Sequence, residues 1–184
     1  INSRSSKTLH LLFVGVEWIR KGGDLAVKIT KELNASGIET VLHVVGIDEL
    51  PYEETPSFVI NHGFISKGSK EGLRKLEHLY STCHFLVVPS LAEAYGLVYC
   101  EANSFGLPAI ASNVGGIPTV IKDNINGKMF SLDSEITEWS SYIAHSFQDK
   151  VKYKALCMSS FDEYESRLNW NVAGKSIMNL MKGL

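Results

Sequence analysis

Most of the familiar chemical signatures are missing from this sequence. It contains no GxGxxG, no P-loop, no HExxH and no GxSxG. That removes the common patterns for a dinucleotide site, a triphosphate cradle, a zinc hydrolase and a nucleophile elbow. It also lacks an Asp-x-Asp pair, the carboxylates that hold a divalent metal with a diphosphate. No run of about 18 apolar residues exists, so no stretch reads as a membrane span. The opening residues, INSRSSKTLH, have no apolar segment behind their charges and do not read as a secretory signal. Neither charge sign dominates. The 18 Lys and Arg against 20 Asp and Glu leave a net charge of -2, with no electrostatic ground for nucleic acid. Cysteine is scarce. Cys83, Cys100 and Cys157 cannot all pair within one chain, and none lies in a CxxC. Buried thiols in a reducing, cytoplasmic setting are the expectation.

What the sequence does have is alternation. Its 184 residues, 45% apolar, suit one soluble domain, residues 1–184. Leu9–Val14 is an apolar run ended by Gly15, expected to be a strand. After a loop over 15–23, Leu25, Ile29 and Leu33 mark one helix face, with Asp24 as expected N-cap and Gly37 just past the end. Strands are expected over 41–45, 58–60 and 85–88, with an acidic surface loop over 48–56. Ser69 caps a helix carrying Leu73, Leu76 and Tyr80. Continuous apolar runs, rather than alternating ones, mark strands covered on both faces. Strands alternating with helices predict right-handed βαβ crossovers and a parallel sheet. Asn124–Gly127 reads as a turn before a short strand. Beyond Glu135 the pattern is helical only, with one stripe of Ile136, Trp139, Ile143 and Phe147 and a last helix carrying Val172, Ile177 and Leu180.

The chemistry concentrates in one stretch, PSLAEAYGLVYCEANSFGLPAIASNVGGIP, residues 89–118. Glu93 follows the most apolar strand, Gly96 opens a helix, and Glu101 lies within it. Carboxylates beside a glycine-containing loop accept hydrogen bonds from a polyol. The first amides of the helix, at Gly96, Leu97 and Val98, suit a phosphate, because they point out unpaired at the positive dipole end. Arg20 and Lys21, in a glycine-bounded loop after the first strand, can neutralise a diphosphate. The pair Gly115–Gly116 can let backbone approach a ligand. By spacing alone the glutamates also fit a surface pair, the two cations a solvated turn, and the glycines an ordinary turn. His43, inside an apolar strand, reads as a core histidine; His62 can face the cleft.

Taken together, the motifs resemble the signature of the group 1 glycosyltransferases, retaining enzymes of the GT-B fold. The matching residues are Glu93-Ala94-Tyr95-Gly96-Leu97 opening a Glu-x7-Glu motif, Glu101-Ala102, Gly106-Leu107-Pro108 and Gly115-Gly116-Ile117-Pro118. The likeness extends to FVG and RKGGDLA near the start, NHGFIS in the middle and LNWNVAGKSI near the end. It implies a Rossmann-like three-layer αβα sandwich with a parallel sheet, one half of a GT-B fold, and a helical C-terminus. It implies that Glu93 and Lys21 are catalytic, Glu93 beside the donor sugar and Lys21 against the diphosphate. Gly15, Arg20, Phe64, Ile65, Ala94, Tyr95, Gly96, Leu97 and Val98 would line the donor site, with Glu101 on the ribose hydroxyls. No metal and no cofactor is implied; the nucleoside-diphosphate sugar is a co-substrate. Three positions depart from the family pattern: Val16 stands in place of an arginine, Ala94 of a glycine and Tyr95 of a phenylalanine. Arg20 is the candidate to replace the charge missing at Val16.

The implied partners are a nucleotide-sugar donor and an N-terminal acceptor domain that this chain lacks. Peripheral membrane contact would run through that other half. The chain is therefore expected to be the donor half of a longer enzyme, with little transferase activity alone. Its last helix is expected to show an apolar face where it normally crosses to the other domain. Two other readings stay open on the residues: a non-catalytic nucleotide-sugar-binding or scaffold module, and another GT-B enzyme such as a sugar-nucleotide epimerase.

Overall fold

The computed structural model describes residue 4 and residues 7–183; most of the opening stretch lies outside them. Among the described residues, six strands form one sheet: β1 (Leu9–Val14), β2 (Thr40–Val45), β3 (Val59–Asn61), β4 (Phe85–Val88), β5 (Ala109–Ser112) and β6 (Gly127–Phe130). Their order is β3-β2-β1-β4-β5-β6, and every pairing is parallel. The continuous apolar runs explain this. All four residues of β4 and all four of β5 are buried, which requires helices on both faces. The order reverses between β1 and β4, so the loops after these two strands flank a crevice at their carboxyl ends.

The helices are α1 (Trp18–Lys21), α2 (Gly23–Ala35), α3 (Lys70–Thr82), α4 (Leu97–Ser104), α5 (Ile117–Val120), α6 (Ile136–Gln148), α7 (Lys150–Glu163) and α8 (Trp170–Lys182). A single π turn, Tyr164–Leu168, joins α7 to α8. On one face α6 packs against α2, and α7 packs against α4 on the other. The predicted stripe of α6 is the buried one: Trp139, Ile143 and Phe147 lie in the core, and Trp139 stacks on Phe130 with ring centroids 4.5 Å apart. Gly37 sits past α2 with φ +85°, the left-handed geometry a helix-ending glycine supplies. The three thiols are buried and free.

Some expectations need correction. Asp24 does not cap α2. The left-handed Gly22 does, and the helix starts two residues earlier than read. The Asp24 carboxylate instead accepts from Tyr52 Oη (2.6 Å) and Trp18 Nε1 (3.0 Å), and these bonds hold its pKa below the ordinary range. Leu73 is exposed, because α3 is rotated so that Leu76, Leu79 and Tyr80 face the core. Ser69 does cap it, accepting from the Gly72 amide at 3.0 Å. The turn at 124–127 also does more than reverse the chain. Asn126 is fully buried and donates to Asn103 Oδ1 (2.7 Å) and the Val120 carbonyl (2.9 Å), while accepting from the Lys122 amide (2.7 Å). Every polar group of this side chain is thereby paired inside the core.

Four histidines fall into one row across adjacent strands. His84 Nδ1 accepts from the His10 amide (3.0 Å), His10 Nδ1 meets His43 Nε2 (3.0 Å), and His43 Nδ1 meets His62 Nε2 (3.0 Å). Burial disfavours the charged imidazole. It lowers the pKa of His10 and His62, and lowers that of His43 to about 4 with help from its histidine neighbours. His43 is thus a hydrogen-bonded, half-buried histidine, as its apolar strand suggested.

On α8 no residue is buried. Trp170, Ile177, Met178, Leu180 and Met181 all face outward, so the last helix does carry an apolar surface. Among the described residues, no helix is long and apolar enough to cross a membrane.

Candidate functional site

The crevice is built by two loops that lock onto each other. After β1, the Gly15 amide donates to the Val45 carbonyl at 3.0 Å. A Cβ at Gly15 would lie 2.9 Å from Lys21 Cγ, so glycine leaves room for the lysine stem. Gly22 has φ +75°, and a Cβ there would lie 2.0 Å from the Pro89 carbonyl oxygen, at the end of β4. The Leu91 amide donates to the Arg20 carbonyl (2.8 Å), and Arg20 Nη1 donates to the Ala92 carbonyl (3.0 Å). The β1 and β4 loops are thereby one unit.

This unit brings Lys21 and Glu93 together, 72 positions apart in the chain. Lys21 Nζ and Glu93 Oε2 form an ion pair, and the two side chains are only 12% and 11% exposed. Arg20 takes a different part. Its guanidinium pairs with Glu17 at 2.7 Å and braces Ala92. Val16, in the same loop, is exposed.

Gly96 caps α4 in the left-handed region, with φ +85°. A Cβ there would strike the Tyr99 ring at 2.4 Å. Tyr99 is fully buried and anchors this turn by donating to the Val88 carbonyl at 2.9 Å. Tyr95 and Leu97 are exposed and Val98 is partly buried, so the first turn of α4 lies at the surface.

The paired glycines have a structural task. Gly115 and Gly116 allow a close approach of the chain to itself. A Cβ at either would lie about 2 Å from the carbonyl oxygens of Glu93 and Ala94, and the Gly116 amide donates to Glu93 O at 3.0 Å. They hold the Glu93 loop in place.

Glu101 sits apart from Glu93 with its own partners. Lys67 Nζ pairs with Oε1, and Tyr80 Oη donates to Oε2 at 3.0 Å. Neither partner was expected; Tyr80 was legible only as a core position of α3. Phe64 and Ile65 lie on the β3–α3 loop, where the Phe64 amide donates to Asp48 Oδ1 at 2.9 Å. They line a cavity of about 590 Å³ with His62 and His78. A smaller cavity of about 190 Å³ takes Tyr95, Leu97 and Glu101, with Tyr164, Arg167 and Trp170 from the C-terminal segment. Lys21 and Glu93 line neither. Among the described residues, no group of three or more His, Cys, Asp or Glu is placed to hold a metal ion.

Residues 2–157 match the family model described as "Glycosyl transferases group 1". The chain belongs to the group 1 glycosyltransferases. A D-inositol 3-phosphate glycosyltransferase from Mycobacterium tuberculosis is 37% identical over 70 residues, which is 38% of this chain and 14% of that protein. Among solved structures, a sucrose-phosphate synthase from Thermosynechococcus elongatus superposes with a TM-score of 0.77 at 22% identity, covering 97% of this glycosyltransferase chain and 46% of its own. Anabaena HepE, solved with UDP and glucose, superposes with a TM-score of 0.76 at 17% identity, covering 97% of this chain and 49% of its own. The fold is therefore that of one half of a GT-B glycosyltransferase. The chain spans about half the length of these structures.

Proposed function

We propose that this chain binds the nucleoside-diphosphate part of a sugar donor, and that it is the donor half of a retaining glycosyltransferase moving a hexosyl-type group to an acceptor without a metal. The observation that carries the reading is the Lys21–Glu93 pair. It lies on the loops after β1 and β4, where the strand order reverses and open α/β sheets take their ligands. HepE binds UDP and glucose on the same fold, which supports a nucleoside diphosphate as the ligand.

In this reading, the bond between the anomeric carbon and the diphosphate oxygen breaks as the acceptor oxygen attacks from the same face. The leaving diphosphate takes the electron pair, and its departing oxygen takes the proton that the acceptor hydroxyl loses. Lys21 and the leading amides of α4 stabilise its negative charge, because preorganised positive groups cost no reorganisation at that moment. Glu93 stands beside the sugar, and its carboxylate keeps the Lys21 ammonium in place. Phe64 and Ile65 pass near the base. The acceptor site lies on the other half of the enzyme, where α8 crosses to it, and the reaction takes place in the cytoplasm.

Calorimetric titration with UDP, GDP, ADP and their sugar conjugates, without added metal, tests the proposal. The expected result is binding of one nucleotide family, weakened about tenfold by Lys21→Ala through loss of a charge-assisted contact. A folded domain that binds none of them overturns the reading.

A further inference from the structure

The second glutamate carries more information than its motif position. Glu101 has two oxygens, and each is held by a different element. Tyr80, from α3, donates to Oε2 at 3.0 Å from the protein interior. Lys67, from the β3–α3 loop, pairs with Oε1 from the solvent side. The two partners differ in freedom. Tyr80 is 3% exposed and its ring stacks on Phe105, with centroids 5.4 Å apart and planes 13° from parallel. It is set by packing. Lys67 is 54% exposed on a loop turned by Ser66, Gly68 and Ser69. Its ammonium is attached through a flexible four-carbon stem and pairs in high dielectric, so moving it costs little. Burial and the neighbouring carboxylate push the Tyr80 phenol far above its usual range, so it stays a donor throughout the working range.

We infer that Tyr80 is a positioning residue for Glu101, and that Lys67 is a displaceable counter-ion on the oxygen a sugar diol would take. The inference rests on the donor reading above and deepens it. A carboxylate pinned at one oxygen presents the other in a fixed direction. A vicinal diol, as on ribose, can then accept that direction by donating one or both hydroxyls. Tyr80 thereby sets discrimination between a ribonucleotide and a nucleotide without those hydroxyls. Lys67 opposes binding slightly, since it must first release Oε1.

The test uses this chain and the nucleoside diphosphate whose base it binds, beside the 2′,3′-dideoxy form of the same nucleotide. Tyr80→Phe keeps the stacked ring and removes only the hydroxyl. The expected result is about tenfold weaker binding of the ribonucleotide, as for loss of a hydrogen bond to a charged group, with the dideoxy affinity unchanged. Lys67→Ala is expected to tighten the ribonucleotide about twofold to fivefold and to leave the dideoxy form unchanged, as for loss of an exposed pair. Glu101→Gln removes the discrimination altogether and serves as the reference if Tyr80→Phe proves unstable. Equal weakening of both nucleotides in Tyr80→Phe assigns Tyr80 a purely structural role and overturns its part. Weaker ribonucleotide binding in Lys67→Ala overturns the counter-ion assignment. Failure of the unaltered chain to bind any nucleoside diphosphate overturns the donor reading, and this inference with it. Binding without ribose discrimination in the unaltered chain overturns this inference alone.

Discussion

The two glutamates of the Glu-x7-Glu motif hold one lysine each, in opposite surroundings. Glu93 and Lys21 are both enclosed, each about one tenth exposed, between loops fastened to each other and to Gly115–Gly116. Glu101 and Lys67 are 34% and 54% exposed, and one of them rides on an open loop. The same pair of charges thus does two jobs. Enclosure makes the first a fixed feature, because removing one partner leaves a charge that little water reaches. Exposure makes the second exchangeable, because water and salt can take over either partner. Under the proposed donor reading, a reacting centre would use the first property and a ribose subsite that must open would use the second.

The contrast can be broken most forcefully at Glu93. In the complete enzyme, Glu93→Gln is expected to lower kcat about 10²-fold to 10³-fold, the range for removing a preorganised electrostatic group at the reacting centre. Glu101→Gln is expected to act on donor KM with kcat nearly intact. Steady-state kinetics of both variants separate these effects, and an equal kcat loss in both would erase the distinction.

Stability reads the same difference with a smaller effect. Glu93→Ala alone is expected to cost about 2–3 kcal/mol in urea unfolding, because it strands Lys21, and the double variant with Lys21→Met is expected to recover part of that. The corresponding Glu101→Ala loss is expected below about 1 kcal/mol and should shrink further in high salt.

Acid sharpens the comparison from a neighbouring region. The row of His10, His43 and His62 ends beside the loop that carries Lys67. All three pKa values are depressed, and that of His43 falls from 6.5 to about 4. The folded state therefore disfavours the proton. Stability is complete above the unfolded value near 6.5 and declines as pH falls toward 4, because the unfolded chain binds protons the folded one refuses. After allowance for screening by water at the open edge, His43 accounts for about 2 kcal/mol of that decline. Thermal melts between pH 7 and pH 4 should show His43→Gln with the flatter profile.

Much of the fold was legible because the signals are local. Leu9–Val14 and Phe85–Val88 are strands with the bounds read from their apolar runs. Gly96 and Ser69 begin their helices as expected. Asp24 misled because an N-cap is a local preference, and a left-handed Gly22 with two hydrogen-bond donors on Asp24 outweighed it. Leu73 misled because three residues at helical spacing do not show how the helix is rotated against its sheet.

The alternation of the main strands and helices along the chain, the parallel sheet, the placing of Glu93 just past β4 and that of Glu101 within the helix that follows belong to the sequence alone; the one-turn helices α1 and α5 were read as loop and turn. Apolar continuity, turn glycines and motif spacing act over a few residues, and the backbone has few ways to satisfy them. Who meets whom belongs to the tertiary structure. Lys21 reaches Glu93 across 72 positions, Lys67 reaches Glu101 across 34, and four histidines from separate segments meet in one row. Those contacts follow from the strand order and its reversal between β1 and β4, and short-range patterns carry no record of either.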